Sequence, residues 1–176
     1  MQVVRDRAGV SNGSLFHHFP TRQDLTAAVI AAGLDDHQRA LLAELTGDAR
    51  TGVSGAVRRH LRWVQDNPSV ARLLLSTPPD ALRASVSEPV LNANREFFTA
   101  VADWLGRHGW KQRPQFRVVL ALWIGPSQEC SRQWLAAPEV WSLEQITDDL
   151  AEAAWIALAP ILRGNEKGSG TEGTPI

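Results

Sequence analysis

Hydrophobic residues recur at intervals of three and four along most of the chain, which is the spacing of one face of an α-helix. The segments with this pattern are 22–45, 56–66, 69–76, 88–107, 113–136 and 142–163. No stretch alternates between apolar and polar residues in the manner of a half-buried β-strand. The pattern therefore predicts an all-α protein with seven to nine helices.

Capping residues and helix breakers indicate where these helices begin and end. Thr21-Arg22-Gln23-Asp24 is a capping box that would begin the first long helix. Gly47–Gly55 is rich in small residues and predicts a break, and Gly125-Pro126 predicts a kink inside segment 113–136. Residues 165–176 are polar and glycine-rich, so we expect a disordered tail.

Residues 8–25 have the pattern of a helix end, a tight turn, a short helix, a second turn and the start of a long helix. Gly9 can adopt the left-handed conformation that ends a helix, and Leu15 and Phe19 share one face of the short helix. Two helices joined by a glycine-containing turn, the second short and polar, are typical of the helix-turn-helix that enters the major groove of DNA. The sequence predicts an incomplete helix-turn-helix region over residues 1–31.

The string Ala8-Gly9-Val10-Ser11, followed by Leu15-Phe16-His17-His18-Phe19, resembles the tetracycline-repressor (TetR) family of bacterial regulators. The resemblance continues through Arg22-Gln23-Asp24-Leu25. In that family another helix precedes these residues, so we expect either a true start upstream of residue 1 or a truncated chain. Phe16 stands where the family usually has tyrosine, so the ring is kept while a hydroxyl that reaches phosphate is lost.

The resemblance also implies which residues contact DNA. The predicted DNA-binding residues are Asn12, Ser14, Phe16, His17, His18 and Arg22. The resemblance implies that Ser14, His18 and Arg22 contact phosphate oxygens and that Asn12 and His17 lie nearer the base edges. This suits the chemistry, because a helix N-terminus offers free N–H groups and an arginine adds charge-assisted hydrogen bonds. The predicted partner is a double-stranded DNA operator, and the alternative is a surface turn in a chain that no longer binds DNA.

The middle of the chain combines apolar helix faces with a few polar residues. Asn94 falls within the apolar stripe of segment 88–107, and Ser127 and Cys130 fall within that of segment 113–136. Such faces are typical of ligand cavities, and they favour a largely apolar or aromatic small-molecule effector. The predicted ligand-binding residues are His60, Trp63, Asn94, Phe97, Trp104, Trp123, Ser127 and Cys130. The alternative is an ordinary core in which each polar group bonds to a carbonyl.

Segment 56–66 carries polar groups on both of its faces. His60 lies beside the apolar face, where we interpret it as a hydrogen-bonded core histidine rather than a ligand contact. Arg58, Arg59 and Arg62 lie on the opposite side. We interpret them as a solvated face rather than a phosphate-binding patch.

The last two long segments predict a homodimer. Segment 113–136 is apolar on nearly all sides, and segment 142–163 contains alanines that allow close helix approach. The apolar stripe of segment 142–163 is Leu143, Ile146, Leu150, Ala154, Ala157 and Ile161. Pairing both segments with their symmetry mates would give a two-fold four-helix bundle, the interface that the family resemblance also implies. Residues 32–164 are therefore predicted to form a helical effector-binding and dimerisation domain.

Composition and the absence of certain motifs limit the classes of protein to which the sequence can be assigned. The net charge of −1 provides no general attraction to polyanions, so DNA contacts must be local. Cys130 is the single cysteine, which excludes an internal disulfide and fits a cytoplasmic location, and no segment resembles a signal peptide or membrane span. No catalytic triad, phosphate-binding glycine loop or metal-ligand spacing is evident, so we expect no enzyme activity, cofactor or metal.

These observations predict a cytoplasmic, homodimeric regulator that resembles the TetR family. We expect a repressor that a small, largely apolar effector releases from its operator. The alternative is a dimeric helical ligand-binding remnant without DNA-binding activity.

Overall fold

The computed structural model describes residues 17–163, and within them it contains eight α-helices and no β-strand. The helices are α1 (Arg22–Leu42), α2 (Ala49–Asp66), α3 (Pro68–Ser76), α4 (Pro79–Ser85), α5 (Glu88–Arg107), α6 (Phe116–Trp123), α7 (Gly125–Ala136) and α8 (Leu143–Leu162). The prediction of an all-α fold is confirmed.

The core is built around α2. Its apolar stripe, which includes Val53, Val57, Leu61 and Val64, is fully shielded from solvent. Helix α8 packs along α2 more extensively than any other helix, and α1 packs on it as well. A four-residue repeat of β-branched and leucine side chains on one face explains why α2 is surrounded by other helices.

Two capping sites lie where the sequence indicates helix starts. The Thr21 N–H donates to Asp24 Oδ2 at 2.9 Å, and the Asp24 N–H donates to Thr21 Oγ1 at 3.1 Å, which completes the predicted capping box. The Glu144 N–H donates to Ser142 Oγ at 3.2 Å at the start of α8. Each bond satisfies a backbone N–H that has no partner within its own helix.

The predicted break over residues 47–55 is wrong beyond Asp48. Helix α2 already begins at Ala49, because the Asp48 side chain caps it by accepting from the Thr51 N–H at 3.0 Å. Gly52 lies inside this helix, where the indole of Trp104 occupies the space beside its Cα. Helix α1 correspondingly ends at Leu42, three residues before the predicted end.

The long segment 113–136 is divided into α6 and α7, with a turn at Ile124. This confirms the interruption predicted at Gly125-Pro126, where proline lies in the first turn of α7. The segment becomes helical only at Phe116, and the short helix α4 was not predicted.

The predicted boundary between residues 31 and 32 falls inside α1, so one continuous helix belongs to both predicted domains. Within residues 17–163, no helix combines the length and the apolar character needed to cross a bilayer.

Candidate functional site

The N-terminal end of the described chain carries three of the predicted DNA-binding residues. His17 and His18 have helical backbone and exposed side chains, and Arg22 is exposed at the first position of α1. The rings of His17 and His18 lie 5.3 Å apart between centroids, in an edge-to-face arrangement. The other three, Asn12, Ser14 and Phe16, lie outside the described residues.

This end can donate hydrogen bonds to an anionic backbone. Imidazole and guanidinium N–H groups are common donors to DNA phosphates. The nearby carboxylate of Asp24 is engaged by the Thr21 backbone and hydroxyl, at 2.9 and 2.7 Å. Helix α1 therefore begins with its own acidic residue held in the capping box, while Arg22 points its charge toward solvent.

A buried polar chain connects α1, α2 and α7. His37 Nε2 lies 2.9 Å from His60 Nδ1, and His60 Nε2 lies 3.3 Å from Ser131 Oγ. Ser131 Oγ in turn donates to the Ser127 carbonyl oxygen at 2.7 Å. His60 and both serines are buried, so this chain replaces hydrogen bonds to water with bonds inside the protein.

Both histidines of this chain are neutral at neutral pH. Burial lowers the pKa of His60 to about 3, and the neighbouring His37 lowers it further in the same direction. Burial lowers the pKa of His37 to about 4, against the opposing charge of Asp36. Because the Ser131 hydroxyl donates to a carbonyl, we infer that His60 Nε2–H donates to Ser131 and that His37 Nε2–H donates to His60.

Three consecutive residues of α1 bond to the body of the protein. Trp63 Nε1 donates to Asp36 Oδ2 at 2.6 Å, His37 bonds to His60, and Gln38 Nε2 donates to Asn94 Oδ1 at 2.7 Å. These bonds reach α2 and α5. Sequence reasoning missed Asp36, His37 and Gln38.

One signal for Gln38 was present in the sequence. Gln38 lies eight residues after Ile30 and three before Leu41, and all three are buried. A polar residue at helical spacing among buried apolar residues indicates a buried hydrogen bond.

The predicted ligand-binding residues fall into separate groups. Trp104 and Trp123 stack with centroids 5.8 Å apart, and Trp123 Nε1 donates to the Val53 carbonyl at 2.9 Å. Phe97 is half-buried beside Phe98, with ring centroids 5.1 Å apart. This aromatic group lies on α5 and α6.

The polar members of the predicted set bond to other protein atoms. His60 and Ser127 belong to the buried chain described above, where Ser127 Oγ donates to the Ile124 carbonyl at 2.8 Å. Asn94 accepts from Gln38 and Trp63 donates to Asp36. Cys130 is half-buried, and burial together with Glu129 raises the pKa of its thiol. Among residues 17–163, no three His, Cys, Asp or Glu side chains are grouped to hold a metal ion.

Comparison with known proteins relates the chain to the class of helix-turn-helix transcriptional regulators. The chain is similar to a protein named HTH-type transcriptional activator FasR, from Mycolicibacterium smegmatis. The two are 23% identical over 168 residues, which cover 92% of this chain and 74% of FasR. No family model matches the chain.

Proposed function

We propose that the chain is a DNA-binding transcriptional regulator of the TetR family. The observation that carries this proposal is the similarity to a helix-turn-helix regulator over 92% of the chain. A second support is the N-terminal end of the described residues. The exposed His17, His18 and Arg22 at that end supply donors of the kind that bind DNA phosphates.

The proposed contacts follow the predicted roles. His18 and Arg22, with Ser14, bind phosphate oxygens, and His17, with Asn12, lies nearer the base edges. The proposed role of Phe16 is to pack the short helix that carries these residues. Since the net charge of the chain is −1, attraction to DNA depends on these few local contacts.

The proposed active form is a homodimer. Val118 and Leu122 are four residues apart on α6 and remain about two-fifths exposed, and Ile156 on α8 is 64% exposed. An apolar face of this kind is typical of a helix that packs against another subunit. A two-fold axis through α6, α7 and α8 would present two DNA-binding ends to half-sites about one helical turn, or a multiple of it, apart.

The proposed switch is a small, largely apolar effector bound in the body. Helix α1 begins at the DNA-binding end and bonds through Asp36, His37 and Gln38 to the body helices. An effector that binds one orientation of α1 more tightly than another would change the spacing of the two DNA-binding ends. We propose that this releases the operator and relieves repression. The name of FasR favours activation as the second candidate.

A mobility-shift titration with DNA from upstream of the gene tests the proposal on the full-length gene product. Arg22→Gln should weaken binding about tenfold and reduce the slope of log affinity against log salt by about 1, because one phosphate contact is lost. Arg107→Gln removes a charge that is also exposed, at the C-terminal end of α5, and should leave both values unchanged.

Other outcomes would separate the alternatives. Failure of the dimer to shift any upstream DNA at low salt would contradict the regulator and support a ligand-binding remnant. A monomer in light scattering at micromolar concentration would contradict the dimer. A reporter gene distinguishes repression from activation by the sign of the change when the regulator is deleted.

A further inference from the structure

A groove of about 460 Å³ runs along the outer face of α2, on the side opposite His60. The walls include four arginines and two glutamates: Arg50, Arg58, Arg59, Arg62, Glu44 and Glu152. The arginines outnumber the carboxylates, so the groove carries excess positive charge on a chain whose net charge is −1. This local charge is unlike the balance of the rest of the molecule.

Two of the arginines are neutralised by neighbouring carboxylates. Arg50 pairs with Glu152 at 2.8 Å, and Arg58 pairs with Asp148 at 2.9 Å. The two arginines and the two carboxylates of these pairs are each about half or more exposed. A bound anion can therefore replace the carboxylates at little cost.

The other two arginines, Arg59 and Arg62, have a different environment. Within residues 17–163, neither forms an ion pair within 4.0 Å. The Arg59 Nε is shielded from solvent and has no hydrogen-bond partner among the described atoms. A buried donor is normally satisfied, so this unpaired N–H indicates a missing acceptor. Arg59 therefore departs from the solvated face that the sequence predicts.

The arrangement of the arginines suits an extended anion. Arg59 and Arg62 lie three residues apart on α2, so a single phosphate can accept from both. Arg50 and Arg62 are twelve residues apart, which corresponds to about 18 Å along the helix axis. A groove of this length and volume exceeds the needs of one phosphate or sulfate ion.

We propose that this groove binds a small molecule that carries at least two phosphate groups. One phosphate binds at Arg59 and Arg62, and its oxygens supply the acceptor that Arg59 Nε lacks. The second phosphate lies toward Arg58 and Arg50. The groove is separate from the DNA-binding end. It includes Glu44, just beyond the C-terminal end of α1, whereas Arg22 lies at the other end of this 21-residue helix, about 30 Å away.

Isothermal titration of the full-length protein with inorganic pyrophosphate at 0.15 M NaCl tests this site. The wild type should bind, and Arg59→Gln and Arg62→Gln should each weaken binding at least tenfold. Arg59→Lys keeps the charge without the Nε donor and should fall between the wild type and Arg59→Gln. Arg107→Gln, a change of the same charge outside the groove, should bind within twofold of the wild type. Circular dichroism checks that each variant is folded.

Three results would overturn the proposal. The first is no binding of pyrophosphate to the wild type at millimolar concentration. The second is equal weakening by Arg107→Gln, which would indicate attraction to charge in general. The third is an Arg59→Gln variant that loses DNA affinity in parallel with its pyrophosphate affinity, which would make the groove a nucleic-acid surface. Failure of the Arg22→Gln test leaves this site unaffected, so the two proposals fail separately.

Discussion

Acidification from pH 7 to pH 5 should destabilise the fold through the buried histidine pair. His37 and His60 share one hydrogen bond, with His37 Nε2 2.9 Å from His60 Nδ1. The folded protein keeps both imidazoles neutral, since burial lowers their pKa values to about 4 and about 3. In the unfolded chain both return toward the ordinary value of 6.5.

The sign follows from which state binds more protons. Between pH 6.5 and about 4, the unfolded chain takes up protons at His37 and His60 that the folded chain does not, so the free energy of unfolding falls as the pH falls. At pH 5 the solution is 1.5 units below the unfolded pKa, and each unit is worth about 1.4 kcal/mol. The loss is therefore about 2 kcal/mol for each histidine and up to about 4 kcal/mol for both. That is a large part of the 5–15 kcal/mol typical of a domain.

Urea denaturation followed by tryptophan fluorescence, at pH 7, 6 and 5 and fixed protein concentration, measures this change. His37→Gln keeps an N–H donor beside His60 and removes one titrating group, so the loss between pH 7 and pH 5 should fall by about half. Ser131→Ala removes a hydrogen bond from His60 without removing a titrating group. It should lower stability at every pH and leave the pH dependence intact.

Equal pH dependence in the wild type and His37→Gln would refute this account. So would a wild type as stable at pH 5 as at pH 7. The exposed carboxylates of Asp48 and Glu129 do not confuse the comparison. Hydrogen bonds lower the pKa values of these two carboxylates from their ordinary values of 3.8 and 4.5. The stability that the two groups contribute is therefore lost mainly below pH 4.5.

Two further predictions concern the core. Gly52→Ala should destabilise the protein by about 1–3 kcal/mol, because the new Cβ would lie 2.4 Å from a ring carbon of Trp104. Gly106→Ala meets no described atom within 4 Å and should be neutral or stabilise by up to about 1 kcal/mol, so urea denaturation of this pair separates packing from helix propensity. Trp123→Phe should cost about 1–3 kcal/mol because it removes the indole N–H that donates to the buried Val53 carbonyl and leaves part of the ring's space empty, and thermal unfolding that matches the wild type would contradict this.

Helix ends that depend on local chemistry could be predicted from the sequence. Thr21 caps α1 as expected, Ser142 caps α8 at the start of the predicted segment 142–163, and Gly125-Pro126 coincides with the break between α6 and α7. The start of α2 also has a local cap, Asp48, but the glycines that follow it favoured the prediction of a break. Glycine usually weakens a helix, but at Gly52 the ring of Trp104 occupies the space that a side chain would fill. Because Trp104 is distant in sequence, no local pattern shows this.

The buried face of α8 shows a second limit. The helix is apolar on two faces, and the predicted stripe follows one of them. The structure buries Ala151, Trp155 and Leu158, none of which belongs to the predicted stripe. Of the six stripe residues, Leu143 and Ala154 are buried and the other four are only partly buried. Periodicity identifies an apolar face but not the helix that covers it, because the covering helix α2 is distant in sequence.

The candidate site likewise contains residues that the local sequence predicts and residues that it does not. The position of His60 on the inner face of α2 followed from helical spacing, and its core environment agrees with the interpretation as a hydrogen-bonded histidine. Its partner His37 lies 23 residues earlier, and no local pattern connects the two. Asn12, Ser14 and Phe16 lie outside the described residues. The structure shows that the side chains of His17, His18 and Arg22 are exposed, and their contacts with DNA stay predictions.

The bonds of Asp36, His37 and Gln38 determine how α1 can move. Successive residues leave a helix axis about 100° apart, so three bonded neighbours hold it from three directions. Rotation about the axis, or a slide by one residue, would break all three bonds at once, whereas a tilt pivots about this level. Arg22 lies fourteen residues away, a lever arm of about 21 Å, so a tilt of about 5° would displace it by about 2 Å.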